Sequence, residues 1–205
     1  MAKSAPDGGN PKIPQFDADY YARYYLKRAT RVAEPAYFAH IARFIRAYCD
    51  LLEIDINGVL DLGCGIGALK NSLAESFPRA AYTGVDISPY ACAKYGWERA
   101  TVDGYRGDPV DLVVCHDVLQ YLRPGAAKAA IRNLAEHCGE VLYFGVLTRE
   151  DWELNCDKSR TDSNVYLRDA SWYRSKLSRY FRNLGGGLYL SRSSEIAVYA
   201  LDYFD

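Results

Sequence analysis

At 205 residues the chain is long enough for one compact domain with a sizeable core and too short for two. A 49% apolar and 25% charged composition is that of an ordinary globular protein, and a net charge of −1 gives no overall field to draw it to nucleic acid or an anionic membrane. No stretch reaches the apolar length of a membrane span, and six scattered cysteines, with no C-x-x-C pair and no grouped histidines, argue against a zinc site and for reduced thiols in a cytoplasmic setting.

Residues 1–15, rich in Gly, Pro, Ser and Asn, read as a flexible tail without the apolar segment of a secretion signal. A short helix is expected from Asp17 to about Arg28, with Tyr20, Tyr21, Tyr24 and Tyr25 on neighbouring turns. A second runs from about Pro35 to Leu52, its apolar stripe being Phe38, Ile41, Ile45, Cys49 and Leu52. Residues 16–57 thus form an N-terminal helical part, followed by an α/β core over 58–205 within the same domain.

Asn57-Gly58 breaks the chain before the most informative stretch, Val59-Leu-Asp-Leu-Gly-Cys-Gly-Ile-Gly-Ala68. A strand ends near Asp61, three alternate glycines follow at Gly63, Gly65 and Gly67, and a helix is expected over 68–76. Strand, glycine turn and helix start bring a nucleotide cofactor against bare backbone. A dinucleotide would set its pyrophosphate there, and a carboxylate at Asp61 would repel it. The acid suits a cofactor that is cationic at that point, and S-adenosylmethionine carries both a sulfonium and an ammonium. A second strand ends at Asp86, some 20 residues past the glycine turn, where an acid receives ribose hydroxyls; the alternative is a cap for the helix beginning near Pro89.

A short third strand is expected over 99–102, a strongly apolar fourth over 111–115, a helix from Pro124 to about Cys138, and a fifth strand over 140–146. This alternation means a mainly parallel sheet with helices on both faces. The end reads differently: a helix over 171–181, the triplet Gly185-Gly-Gly187, and an antiparallel pair of strands, 188–190 and 195–201, joined by a turn at 191–194.

The stretch Val59–Ala68 with Gly84–Ser88, and the run Asp111-Leu-Val-Val-Cys-His-Asp117, resemble the motifs of class I S-adenosylmethionine-dependent methyltransferases of small-molecule type. The resemblance runs from about Val59 to the C-terminus and implies a seven-stranded, mainly parallel, Rossmann-like α/β sheet closed by a C-terminal antiparallel hairpin. It implies S-adenosylmethionine as cofactor, held at Asp61, Gly63, Cys64, Gly65 and Gly67, at Asp86 and Ile87, at Val102 and Asp103 beside the adenine, and at Cys115. His116 is the candidate general base, because imidazole exchanges protons near neutral pH, although transfer to nitrogen or sulfur needs no base.

Residues 147–168 make a long connection without clear periodicity, expected to cover the acceptor site with Trp152 and Tyr166 opposite Tyr21 and Tyr25. Arg28 and Arg31 could reach the cofactor carboxylate. Asp117, Asp162 and Asn164 could be imagined around a metal, but their spacing does not argue for one, and none is expected. Arg168, Arg174, Lys176, Arg179 and Arg182 give a basic stretch that is either a solvated helix face or a nucleic-acid contact, nucleic acid being the weaker reading. The expected function is methyl transfer to an O, N or S nucleophile of a small molecule. The alternatives are an RNA or protein methyltransferase and a non-catalytic S-adenosylmethionine-binding partner; Asp61 and the closing hairpin disfavour a nicotinamide oxidoreductase. Neither the acceptor nor the oligomeric state is legible.

Overall fold

The computed structural model describes residues 15–204; the tail expected over residues 1–15 lies outside them but for Gln15. Seven strands form one sheet in the order β3-β2-β1-β4-β5-β7-β6. They are β1 (Gly58–Leu62), β2 (Ala81–Asp86), β3 (Glu98–Arg99), β4 (Val110–His116), β5 (Cys138–Gly145), β6 (Phe181–Gly185) and β7 (Leu188–Ser191). The first five are mutually parallel and β7 runs antiparallel to both β5 and β6.

Apolar residues alternate along the central strands, so these strands feed two cores. Val59, Leu112, Val114 and Val141 pack with α2 (Pro35–Leu51) and α3 (Lys70–Ser76). Leu60, Val113, Cys115 and Leu142 pack on the other face with α5 (Pro124–His137) and α7 (Ala170–Leu177). The stripe expected in α2 is buried at Phe38, Ile41, Ile45 and Cys49. Asp111 fixes the start of β1 by accepting the backbone N–H groups of Asn57 at 2.7 Å and Gly58 at 2.9 Å.

Strand order reverses between β1 and β4, and a crevice opens beyond the carboxyl ends of parallel strands at such a point. The tyrosine segment crosses it as a single turn of α-helix, α1 (Ala18–Tyr21), continued by a π turn over Ala22–Leu26. Asp17 caps α1 by accepting the Tyr20 N–H at 2.9 Å.

Four expectations are corrected. The hairpin is β6–β7 rather than 188–190 with 195–201: Gly185, Gly186 and Gly187, with φ of +87°, +58° and +85°, are themselves the reversal, and residues 195–199 form no strand. The helix before it stops at Leu177, which frees Phe181 to begin β6. β3 is two residues long because the chain turns at Thr101, whose carbonyl takes the N–H of Gly104 and of Tyr105. The connection after β5 is also not structureless: α6 (Arg149–Leu154) starts there, capped by the Thr148 side chain.

Candidate functional site

Asp61 is the fourth residue of β1 and is 3% exposed, on the face shared with Val59. Its Oδ2 accepts the Tyr82 hydroxyl at 2.7 Å. Burial pushes the Asp61 carboxyl up to about 7, the Tyr82 hydrogen bond pulls it down, and the nearby Asp86 charge raises it again. The glycine turn follows. Gly63 and Cys64 donate their N–H groups to the Val85 carbonyl at 2.8 and 3.1 Å, and Gly67 donates to the Cys64 carbonyl at 2.8 Å. Gly65 donates to Asp86 Oδ2 at 2.7 Å. These four amides are therefore spent inside the protein and do not form an open cradle for a diphosphate.

Glycine is required here by space as well as by φ. At Gly63, with φ of +85°, a Cβ would lie 2.3 Å from Val118 Cγ2. At Gly67 it would lie 2.8 Å from the Trp97 ring, whose Nε1 donates to the Gly65 carbonyl at 2.8 Å.

Asp86 ends β2, is 5% exposed, and accepts the Ser88 N–H at 2.8 Å and the Tyr21 hydroxyl at 3.4 Å on Oδ1. Burial raises its pKa, and the hydrogen bonds from Ser88, Gly65 and Tyr21 oppose that rise. Tyr21, itself 3% exposed, thus closes over the Gly65–Asp86 pair.

Three cavities adjoin at this point. One of about 130 Å³ is lined by Gly63, Gly65, Asp86, Ile87, Val102 and Tyr21, among others. A small one of about 30 Å³ brings Asp61, Gly63, Cys64 and Gly65 together with His116 and Tyr25. A chamber of about 480 Å³ lies beyond, walled by the tyrosine segment, the loop after β4 and the connection after β5. Tyr20, Tyr25, Asp117 and Tyr121 line both the 130 Å³ cavity and the chamber, and so mark the seam between them. The Tyr20 and Tyr121 hydroxyls meet there at 2.8 Å.

Most of the residues singled out from the sequence converge on this crevice: Asp61, Gly63, Cys64, Gly65, Asp86, Ile87, Val102, His116, Tyr21 and Tyr25. Others do not. Gly67 lies one turn away against Trp97. Cys115 is fully buried in the α5 and α7 core and lines none of the three cavities. Asp103 lies in the turn after Val102, and it is Ala100, Thr101 and Val102 that line the cavity. Trp152 is fully buried on α6 and lines none of the three cavities. Tyr166 lines none either; its backbone N–H goes to the Gln120 carbonyl at 2.7 Å. Arg31 pairs with Glu34 rather than facing the crevice. Among the described residues no cluster of three or more His, Cys, Asp or Glu could hold a metal ion.

His116 ends β4 with its ring stacked on Tyr143, centroids 5.9 Å apart and planes 10° apart, and its Nδ1 3.5 Å from Asp117 Oδ2. Asp117 has φ of +58°, a conformation that non-glycine residues rarely adopt. The sequence offered no sign of that strain. Gln120 and Asp162, two further chamber residues, were equally hidden: the first sits in a 3₁₀ turn (Leu119–Tyr121), the second in an aperiodic segment. Arg168 clamps that segment to the 3₁₀ turn. It is 7% exposed and donates to the carbonyls of Leu119 and Leu122 and to the Tyr173 hydroxyl, so it does not belong to a solvated basic face.

Residues 60–140 match the family described as "Methyltransferase domain". Over 127 residues the chain is 31% identical to trans-aconitate 2-methyltransferase of Streptomyces avermitilis, a match covering 55% of this chain and 43% of that protein. The chain therefore spans less than half the length of that curated relative. Among solved structures it is similar to Streptomyces venezuelae DesVI, with a TM-score of 0.60, 16% identity, and coverage of 86% of this chain and 98% of that one. It is also similar to the magnesium protoporphyrin IX methyltransferase ChlM of Synechocystis PCC 6803 with bound SAM, with a TM-score of 0.57, 19% identity, and coverage of 86% and 93%. At these identities the structural likeness speaks for the fold.

Proposed function

We propose that this chain is a class I S-adenosylmethionine-dependent methyltransferase, on the match of residues 60–140 and the sheet built around them, and that it carries a methyl group from that donor to an oxygen, nitrogen or sulfur nucleophile of a small molecule. The observation that carries the reading is the seam at Tyr25 and Asp117, where a crevice with two buried acids and inward-turned amides opens onto a separate chamber of small-molecule size.

The residues present fit the donor. Asp61 and the backbone at Gly63 and Gly65, which line one small cavity together, receive its cationic methionyl end. Asp86 accepts ribose hydroxyls on lone pairs left by Gly65, Ser88 and Tyr21, with Ile87 beside it. Val102, with Ala100 and Thr101, lines the adenine end. The donor, when bound, supplies an electrophilic methyl on a sulfonium that an acceptor lone pair displaces in line. The chain's own part is alignment and exclusion of water: the tyrosine segment and residues 155–168 close the chamber from opposite sides. His116 assists proton removal through its contact with Asp117.

Residues 16–205 act in this reading as one domain with 16–57 as its cover, in the cytoplasm. Among the described residues no helix is long and apolar enough to cross a membrane. An RNA acceptor is disfavoured, because Arg168 is consumed inside the fold.

Incubation with methyl-labelled S-adenosylmethionine and pooled small nucleophiles tests turnover. Label should move to a small molecule, and His116→Gln should slow that transfer about 10²-fold with a changed pH profile. Donor binding without transfer to any acceptor would favour a non-catalytic binding protein. An unchanged His116→Gln profile would remove the base role.

A further inference from the structure

We propose that the chamber receives its methyl acceptor as a protonated amine, held by Asp162 and Gln120 among tyrosine rings. The inference rests on the methyl-transfer reading above. The chamber's charge is one-sided: its lining includes the carboxylates of Glu34, Asp117 and Asp162, and no Lys, Arg or His. Glu34 stands at the rim, 60% exposed in its side chain, paired with Arg31 and near Arg28 and Arg160. Asp117 and Asp162 remain as the charges of the inner wall, with the His116 imidazole behind Asp117.

Two of the wall's side chains each carry one oxygen without a hydrogen-bond partner among the described residues. Asp162 is 4% exposed; its Oδ1 accepts the Asn164 backbone and side-chain N–H groups at 2.9 and 3.0 Å, while Oδ2 has no hydrogen-bond partner among the described residues. Gln120, also 4% exposed, has an unpartnered Oε1. A buried oxygen without a donor is costly, and a buried carboxylate oxygen more so. Both are acceptors. A guest that brings several N–H donors and a positive charge answers both; an ammonium brings three donors, an alcohol one and no charge, and a carboxylate is repelled.

The remaining wall suits the same guest. Tyr20, Tyr24, Tyr25, Tyr37 and Tyr121 present aromatic faces, which attract cations. Burial raises the phenol pKa values of Tyr20, Tyr24, Tyr25 and Tyr121, and the Asp162 charge adds to each, so the hydroxyls stay neutral beside the carboxylates. In the reaction the ammonium gives one proton to the Asp117 carboxylate at the seam, which frees its lone pair. The N–C bond would form as the donor's C–S bond breaks; sulfur would leave with the electron pair as a neutral thioether, and the neutral amine nitrogen would take on the positive charge as it is methylated.

The test uses the full chain saturated with S-adenosylhomocysteine and three probes of one skeleton: benzylamine, benzyl alcohol and benzoate, at neutral pH and millimolar concentration. Benzylamine alone should raise the melting temperature. Asp162→Asn should weaken benzylamine binding about tenfold or more while S-adenosylhomocysteine still binds, since asparagine keeps the Oδ1 acceptor for Asn164. Equal shifts with the alcohol, no effect of Asp162→Asn, or no shift with any probe would overturn the amine assignment and leave the donor site standing. Failure of S-adenosylhomocysteine to bind in the first step would sink the methyl-transfer reading and this inference with it.

Discussion

The carboxylate of Asp61, which the proposed donor role needs charged, is held in a place that resists charging. Its folded pKa of about 7 lies above the ordinary 3.8, so the folded state binds the proton more tightly than the unfolded chain. This group therefore favours the fold most below about pH 4, loses that advantage as pH rises towards 7, and costs most above 7, at about 1.4 kcal/mol per pH unit traversed. Asp61→Asn should accordingly gain stability relative to the parent as pH is raised from about 5 to about 8, measured by urea titration of the ligand-free protein. The donor reverses the preference, because a cation stabilises the ionised form. S-Adenosylmethionine affinity should strengthen as pH rises through 7 in the parent and stay flat in Asp61→Asn. Asp86 differs from Asp61 in having its charge met by Gly65 and Ser88 N–H groups. Asp86→Ala should weaken S-adenosylhomocysteine binding by about 1.5–3 kcal/mol, read by calorimetry; unchanged affinity would remove the ribose role.

The glycine turn works because three separate elements press on it: Val118 from the loop after β4, Trp97 from the segment before β3, and Tyr21 from α1. Gly63→Ala should cost about 2–3 kcal/mol, from the positive φ and the clash with Val118 together. Val118→Ala in the same chain should recover the steric share and leave about 1 kcal/mol of backbone strain, a difference a denaturation double-mutant cycle resolves. The turn and both flanking strands were legible, because an apolar run, an acid and alternate glycines leave few other structures open. The closing hairpin was only half legible. Gly185-Gly-Gly187 announced a reversal, but the apolar stretch at 195–201 looked like the better partner strand, and Phe181 looked like the end of a helix. Pairing across β5 chose the tighter hairpin, since Tyr143, Leu142 and Val141 already match Leu188, Tyr189 and Leu190 in register. Trp152 misled in another way: a tryptophan in a polar connection reads as a binding residue, yet α6 buries it completely.

Across the whole molecule, the proposed donor crevice is local in sequence and the proposed acceptor chamber is not. Asp61 to Asp86 spans one strand-turn-helix-strand unit, whereas the chamber gathers residues near 20–37, 117–121 and 147–165. No periodicity links those segments, so Gln120 could not be placed among them from sequence and Asp117 and Asp162 were set together only around an imagined metal, although Tyr21 and Tyr25 were expected over the crevice. Arg168 is the residue that joins two of the walls. Arg168→Met should leave the carbonyls of Leu119 and Leu122 without their donor, lower stability by about 2–4 kcal/mol, and weaken acceptor binding more than donor binding. Separate titrations of S-adenosylhomocysteine and an amine probe check that split; equal loss of both would mean that the clamp serves stability alone.

The account rests on a buried acid and inward-turned amides selecting a cationic donor over a diphosphate. The direct measurement is a calorimetric titration of the full chain, and of Asp61→Asn, with S-adenosylmethionine and with NAD. The expected result is one-to-one binding of S-adenosylmethionine, weakened in Asp61→Asn, with no heat from NAD. Binding of NAD in the same crevice, with S-adenosylmethionine ignored, would contradict it.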